Sequence, residues 1–254
     1  MRRASPRARF CALILPGLCT LVALGVLCGL GVWQLQRLAW KEALIARVAA
    51  RMQFSFVPWA PGEAEWPSVN AEQHEYLHVR ITGIFRHDHE ALCYELLSDA
   101  RGKFSGPGYW VLTPLETAGG ATFIVNRGFV PLDRKDAATR SEGQVTGKVT
   151  VIGFLRLSER RSWFTPADDP ARGIWQERDP IAIAKAYSLA RTAPFFIDAD
   201  ASANPGGLPQ GGETKLVFPN RHLEYAVTWF GLALALIAVF SAFALKQLRH
   251  RGRA

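Results

Sequence analysis

Two groups of side chains in this sequence have types and spacings that do chemistry. His74-Glu75-Tyr76-Leu77-His78 matches the zinc-protease pattern H-E-x-x-H letter for letter. That pattern works on a helix, where residues four apart stack about 6 Å from each other and share one tetrahedral metal. Here the second histidine opens Val79-Arg80-Ile81-Thr82-Gly83, which is strand sequence. Residues four apart in a strand lie about 13 Å apart, too far to chelate one ion. His87 and His89 flank Asp88 in a turn. The expectation is a solvated loop running into a strand, with a membrane-anchored zinc protease using His74, Glu75 and His78 as a remote alternative. No G-x-S-x-G elbow, Walker loop or dinucleotide glycine fingerprint is present. Copper delivery calls for soft cysteine or methionine clusters, and the central region offers only Met52 and Cys93.

The second group opens the last apolar run, Pro219-Asn220-Arg221-His222-Leu223-Glu224-Tyr225-Ala226-Val227-Thr228-Trp229. On a helix, His222, Tyr225 or Ala226, and Trp229 share one face. An ionisable group at a bilayer edge is a functional hypothesis by default, and a neutral imidazole is the usual axial ligand of haem iron. Arg221 and Arg37 carry the planar fork that pairs with propionate carboxylates. The competing account makes His222 an interfacial polar residue that ends the helix beside Glu224 and Tyr225.

Two apolar runs must position these residues. Tyr225 to Leu245 carries no charged side chain, long enough at about 1.5 Å per residue to cross a hydrocarbon core of about 30 Å. Phe10 to about Gly31 is a matching run, longer than a cleavable signal core and without a small-residue cleavage site, so it reads as a retained anchor. The formal net charge of +8 does not mark a nucleic-acid binder. Arg2, Arg3, Arg7 and Arg9 precede the first run, and Lys246, Arg249, Arg251 and Arg253 follow the second. Short basic flanks stay on the cytoplasmic side, so both tails are expected inside and the central region outside. The expected division is a basic tail 1–9, a membrane helix 10–33, an exported β-rich domain 34–224, a membrane helix 225–245 and a basic tail 246–254. Cys11, Cys19 and Cys28 fall in the first run, several turns apart, and Cys93 alone in the exported domain forms no intradomain disulfide.

Trp33 suits an interfacial belt, and Leu35, Leu38 and Ile45 with Trp40 continue a helix beyond it. A connector rich in proline and tryptophan spans 58–68. Residues 76–85, 91–97, 109–115, 122–130 and 148–157 read as strands separated by glycine and proline turns. Residues 180–190 form one helix with Asp179 as cap and Pro180 in its first turn. A short strand follows at 194–198, then a glycine- and proline-rich loop at 204–212. The fold class is membrane α+β: two antiparallel transmembrane helices flanking one β-rich domain, either an antiparallel sheet or a partly closed barrel.

Four segments together resemble the surfeit-locus cytochrome c oxidase assembly family. Gly31-Val32-Trp33-Gln34-Leu35-Gln36-Arg37 with Trp40-Lys41 is similar to its post-membrane signature, and Val125-Asn126-Arg127-Gly128-Phe129-Val130-Pro131 to its arginine-glycine-aromatic strand end. Phe164-Thr165-Pro166-Ala167-Asp168-Asp169-Pro170 with Trp175 and Asp179 resembles its proline and tryptophan-aspartate segment. His222 through Phe230 resembles its entry to the second helix. The sequence departs from the pattern at Gln176, where an aromatic is usual, and at Arg221 and Glu224, where amides are common. Arg127 itself reads as a strand-closing residue paired with a carboxylate.

The resemblance implies an assembly factor for haem-copper oxidases, a chaperone rather than an enzyme, associated with installing haem a in the large oxidase subunit. It implies a two-helix protein of the bacterial inner membrane with a periplasmic domain, the mitochondrial inner membrane being the less favoured setting. Carried over, the haem a ligand is His222. Haem a is then expected between Trp33 and Gln34 on one helix and His222 and Trp229 on the other, with Tyr225, Arg37 and Arg221 nearby. Expected partners are the large subunit, other oxidase assembly factors, haem a synthase and the lipid bilayer. A scaffold that holds an oxidase intermediate without haem is the alternative.

Overall fold

Uncharged backbone satisfies its own hydrogen bonds most simply as a helix, and both apolar runs are helical. In the computed structural model, which describes residues 6–52, 58–159, 162–201, 204–216 and 218–249, helix α1 spans Pro6–Met52 and a second long helix spans His222–Arg249. Arg2, Arg3, Arg251 and Arg253 lie outside the described residues, as do the side chains of Arg7, Arg9 and Cys11. The chain divides into two units: residues 1–47 with 217–254, and residues 48–216.

In the first unit the two long helices run antiparallel. A Cβ at Gly17 would lie 3.5 Å from the Phe240 ring, and one at Gly31 would lie 2.6 Å from the Phe230 ring. Gly31, Gln34, Ala226 and Ala233 are buried along this seam, the small-residue packing that lets apolar helices approach closely. Away from it, Ile14, Leu18, Leu21, Val22, Leu234 and Val239 are exposed. Both helices are long and apolar enough to cross a membrane. α1 is 47 residues, about 70 Å at the helical rise. Pro16 interrupts its amide ladder, and Thr20 Oγ1 donates to the Pro16 carbonyl at 2.8 Å. Glu224 at the start and Lys246 and Arg249 at the end of the second helix complement its dipole.

The second unit contains the short helices α2 (Ala71–His74) and α3 (Pro180–Ala186), which make the long C-terminal helix α4. Its strands are β1 (His78–Phe85), β2 (Ala91–Leu97), β3 (Gly106–Glu116), β4 (Thr122–Pro131), β5 (Lys148–Leu157), β6 (Ile174–Trp175) and β7 (Thr192–Ala199). Five of them close a barrel in the order β1-β5-β7-β4-β3 and back to β1 through Ile84↔Glu116 and Phe85↔Leu115. A closed ring of five strands cannot alternate direction throughout, so one neighbouring pair must be parallel. That pair is β4–β7, with Ile124 opposite Phe196 and Asn126 opposite Asp198. β5 returns beside β1, and β7 closes the gap between β5 and β4, giving a five-stranded Greek-key barrel of the OB type. Of the two expected arrangements, an antiparallel sheet or a partly closed barrel, the barrel is the one formed; it is fully closed, and its sheet is mixed rather than antiparallel throughout. β2 lies outside the ring on β3, with β6 parallel to it.

Alternation fills the barrel. Val79, Ile81, Leu115, Phe123, Val125, Leu155, Phe195 and Ile197 form the interior cluster. The opposite face of β4 and β7 sends Ile124 and Phe196 into a second layer with Trp110, Trp175 and Ile183 of α3. β4 is therefore buried on both sides, which explains its nearly continuous apolar sequence. Asp179 caps α3 as expected, its Oδ1 accepting from Ile181 N at 2.9 Å. α3 stops at Ala186 rather than 190, because Ser188 takes φ +54°.

Candidate functional site

The H-E-x-x-H stretch is split by its backbone. His74 ends the four-residue α2 rather than lying in a loop, Tyr76 takes φ +63°, and His78 opens β1. Each member has its own partner. His74 Nδ1 accepts from Asn70 N at 3.3 Å, Glu75 Oε1 accepts from Arg156 Nε at 2.7 Å, and His78 Nε2 pairs with Asp200 Oδ2 at 2.7 Å while stacking on Phe154. His87 Nε2 faces the Val145 carbonyl at 2.8 Å. Among the described residues no three His, Cys, Asp or Glu side chains are grouped to hold a metal. The zinc arrangement is not formed.

Glu75 belongs instead to an ion network around Asp198, which is 2% exposed. Asp198 accepts from Asn126 Nδ2 at 2.8 Å, Arg156 Nη1 at 3.1 Å and Arg178 Nη1 at 3.3 Å. Arg178 also meets Glu159, and its guanidinium lies 5.1 Å from the Phe196 ring centre. Burial alone would lower the pKa of Arg156 and of Arg178, but Asp198 leads the carboxylates that hold both above the usual arginine value. This network had no sequence signature, since its members come from five separate segments. The strand register Asn126↔Asp198 brings two of them together. Its carboxylates already have donors, so its role is to tie β5, β7 and the segment after β6.

Arg127 departs from the carboxylate pairing expected of it. It is 2% exposed, its Nη2 donates to the Gly143 carbonyl, and its guanidinium lies 4.8 Å from the Phe85 ring centre. Among the described residues its Nη1 has no hydrogen-bond partner. Burial pushes its pKa down to about 10.

At the seam of the long helices, His222 Nδ1 lies 2.7 Å from Gln34 Oε1. Gln34 is 9% exposed, so its amide is held by packing. With the amide oxygen facing it, Nδ1 is the donor, and a neutral imidazole then carries its lone pair on Nε2. Nε2 makes no hydrogen bond among the described residues, and one turn and more along the same face the buried Trp229 Nε1 is likewise unpartnered. Asn220 Oδ1 accepts from His222 N at 3.4 Å and steadies the helix start.

Of the seven side chains named from the sequence, the structure joins Gln34 and His222. Trp33 and Tyr225 are about half exposed on the outer faces of their helices. Arg37 lies 4.4 Å from the Trp40 ring centre, a partner the sequence reading had not given it. Arg221 is exposed, and its carbonyl accepts from Tyr225 N at 3.3 Å. An available Nε2, an orphaned indole N–H and an apolar surround fit an axial haem ligand in donor chemistry.

The profile of the SURF1 family matches residues 21–234. Surfeit locus protein 1 of Rattus norvegicus is 37% identical over 217 residues, covering 82% of this chain and 68% of the rat protein. The Homo sapiens protein of the same name is 38% identical over 218 residues, covering 82% and 70%. That of Takifugu rubripes is 34% identical over 234 residues, covering 87% and 93%.

Proposed function

The chain belongs to the SURF1 family, and from that premise we propose that it is a membrane-anchored assembly factor for haem-copper cytochrome c oxidase, binding haem a and aiding its insertion into the large oxidase subunit. The observation that carries this is the 2.7 Å contact between His222 Nδ1 and Gln34. It presents Nε2 of a histidine at the start of an apolar helix as a free donor.

His222 would hold the haem through its iron, which would supply a Lewis-acid centre for a nitrogen ligand. The chain's own residues do the rest. Gln34 orients the imidazole. Trp229 offers an indole N–H, and Trp33 and Tyr225 offer aromatic faces at the level where such rings sit in a bilayer. Arg37 and Arg221 are the forks for propionate carboxylates. The haem's covalent framework would stay unchanged, so the protein would act as a chaperone, with His222 holding the iron through one nitrogen until the cargo is released to the oxidase.

In this account α1 and α4 cross the bilayer, the basic tails face the cytoplasm and the barrel unit faces the periplasm. The bacterial inner membrane is the proposed setting. The large oxidase subunit, other assembly factors and haem a synthase are the proposed partners.

The test is the haem a content of the full chain purified from haem a-producing cells, beside His222→Ala. The account expects bound haem in the first and its loss in the second. A colourless wild type that still co-purifies with oxidase subunits would establish the scaffold function instead.

A further inference from the structure

Alternation along β4 puts Phe123, Val125 and Arg127 on one side of the strand. The first two belong to the barrel interior, so Arg127 continues that file as a cation at the end where β4 finishes. At the same end lie Phe85, the last residue of β1, Val149 and Val151 at the start of β5, and Ala199, the last residue of β7. Together they line a cavity of about 240 Å³, completed by Val145, Asn204 and Pro205. It occupies the mouth of the barrel, a usual place for a small-molecule site.

The cavity has an electrostatic imbalance. Among the described residues no carboxylate lines it. Asn204 Nδ2 is spent on the Pro209 carbonyl, and Thr150 Oγ1 pairs with Thr82 Oγ1 at 2.7 Å. Glu90, the acid whose field reaches Arg127, is held by Arg140, whose Nη1 meets Glu90 Oε2 at 3.1 Å. Arg127 thus keeps one carbonyl acceptor and one aromatic face for a full buried charge. Removing a charge from water without a counter-charge costs several kcal/mol. The neighbouring space is where a counter-ion fits.

We propose that the barrel mouth is a binding site for a small monoanion, a carboxylate on a short aliphatic chain, whose carboxylate pairs with Arg127 and whose chain packs on the valines. At about 30 Å³ per water-sized group, a cavity of 240 Å³ takes roughly eight non-hydrogen atoms, the size of a C4 to C6 acid. A phosphate would bring more oxygens than the lining has donors for. The site lies in the barrel unit and is independent of His222.

The probe is pentanoate, with pentanamide as its uncharged shape-match, titrated against the full chain in lipid nanodiscs by saturation-transfer NMR. The expected result is saturable pentanoate binding, about tenfold weaker or worse for pentanamide, and a similar loss in Arg127→Met, as for a charge-assisted hydrogen bond. Equal affinity for acid and amide, no saturable binding to the wild type, or undiminished pentanoate binding by Arg127→Met would overturn the site. If Arg127→Met does not fold, Val149→Trp decides: it fills the cavity and keeps the cation. Loss of pentanoate binding supports the site, and unchanged binding overturns it.

Discussion

His222 Nδ1 and Gln34 Oε1 stand 2.7 Å apart, although 188 positions separate the two residues in sequence. The contact ties the start of one apolar helix to the middle of the other and leaves Nε2 outside it. Gln34→Leu keeps an apolar, similarly sized side chain and removes the acceptor. The ¹⁵N shifts of the His222 ring in the haem-free full chain should then move from a protonated Nδ1 to a protonated Nε2 or a mixture. Haem affinity should fall about 10- to 100-fold, the usual effect of losing a partner that orients a ligand. An unchanged tautomer would remove Gln34 from the account while leaving His222 in it.

The two helices approach closely at Gly31. A Cβ there would lie 2.6 Å from the Phe230 ring, so Gly31→Leu should separate the helices near His222. A short bismaleimide cross-link between Gly17→Cys and Phe240→Cys, whose parent residues face each other, reads this out. Its yield should fall in Gly31→Leu and recover when Phe230→Ala makes room.

Asp198 neutralises two buried guanidinium groups. Asp198→Ala leaves Arg156 with Glu75 and Arg178 with Glu159, but it removes the charge they share. Breaking a buried pair from one side costs about 3–5 kcal/mol. Denaturant unfolding should show a loss of that order, and Asn126→Ala, which removes a neutral donor to Asp198 and the acceptor of Gly128 N, should cost about 1–3 kcal/mol.

Much of this fold could be read in advance, for reasons that differ by element. The apolar runs had to be helices because they are long and uncharged. Strands β2, β4 and β5 matched their expected ranges within a residue because turn-forming residues bound them: Ser98 and Asp99 follow β2, Gly119 and Gly120 precede β4, and Gly147 precedes β5. Tyr76 showed no such warning: its positive φ delays β1 by two residues. Ile174–Trp175 is too short to have a period at all. The parallel β4–β7 pair follows from ring closure, which depends on all five strands at once and not on any local pattern. Within the candidate site, His222 and Gln34 were both named from the sequence, yet their hydrogen bond depends on helix register. Arg127 was expected to have a carboxylate partner because such pairs are common, and the barrel interior gave it none.

Gly128 takes φ +129°, and a Cβ there would sit 2.1 Å from the Gln210 carbonyl oxygen, across the bridge where Phe129 N donates to that carbonyl at 2.9 Å. Gly128→Ala therefore combines backbone strain of about 1–3 kcal/mol with a clash against main chain that has no room to retreat. The unfolding midpoint of the barrel unit should drop, with the far-ultraviolet spectrum of the long helices retained.

Cys93 is buried, and desolvation pushes its thiol up to about 12. At pH 8 almost none of it is thiolate, the reactive form. In a variant with Cys11, Cys19 and Cys28 replaced by serine, maleimide should label the native protein slowly and the urea-unfolded protein at once. Rapid native labelling would place Cys93 in a more open environment.

The central claim is that His222 itself ligates the haem iron. His222→Gly leaves room where the imidazole stood, so the variant should purify without the haem a spectrum and regain it when millimolar imidazole is added with haem. A His222→Gly protein that retains the wild-type spectrum with no imidazole present would contradict the account.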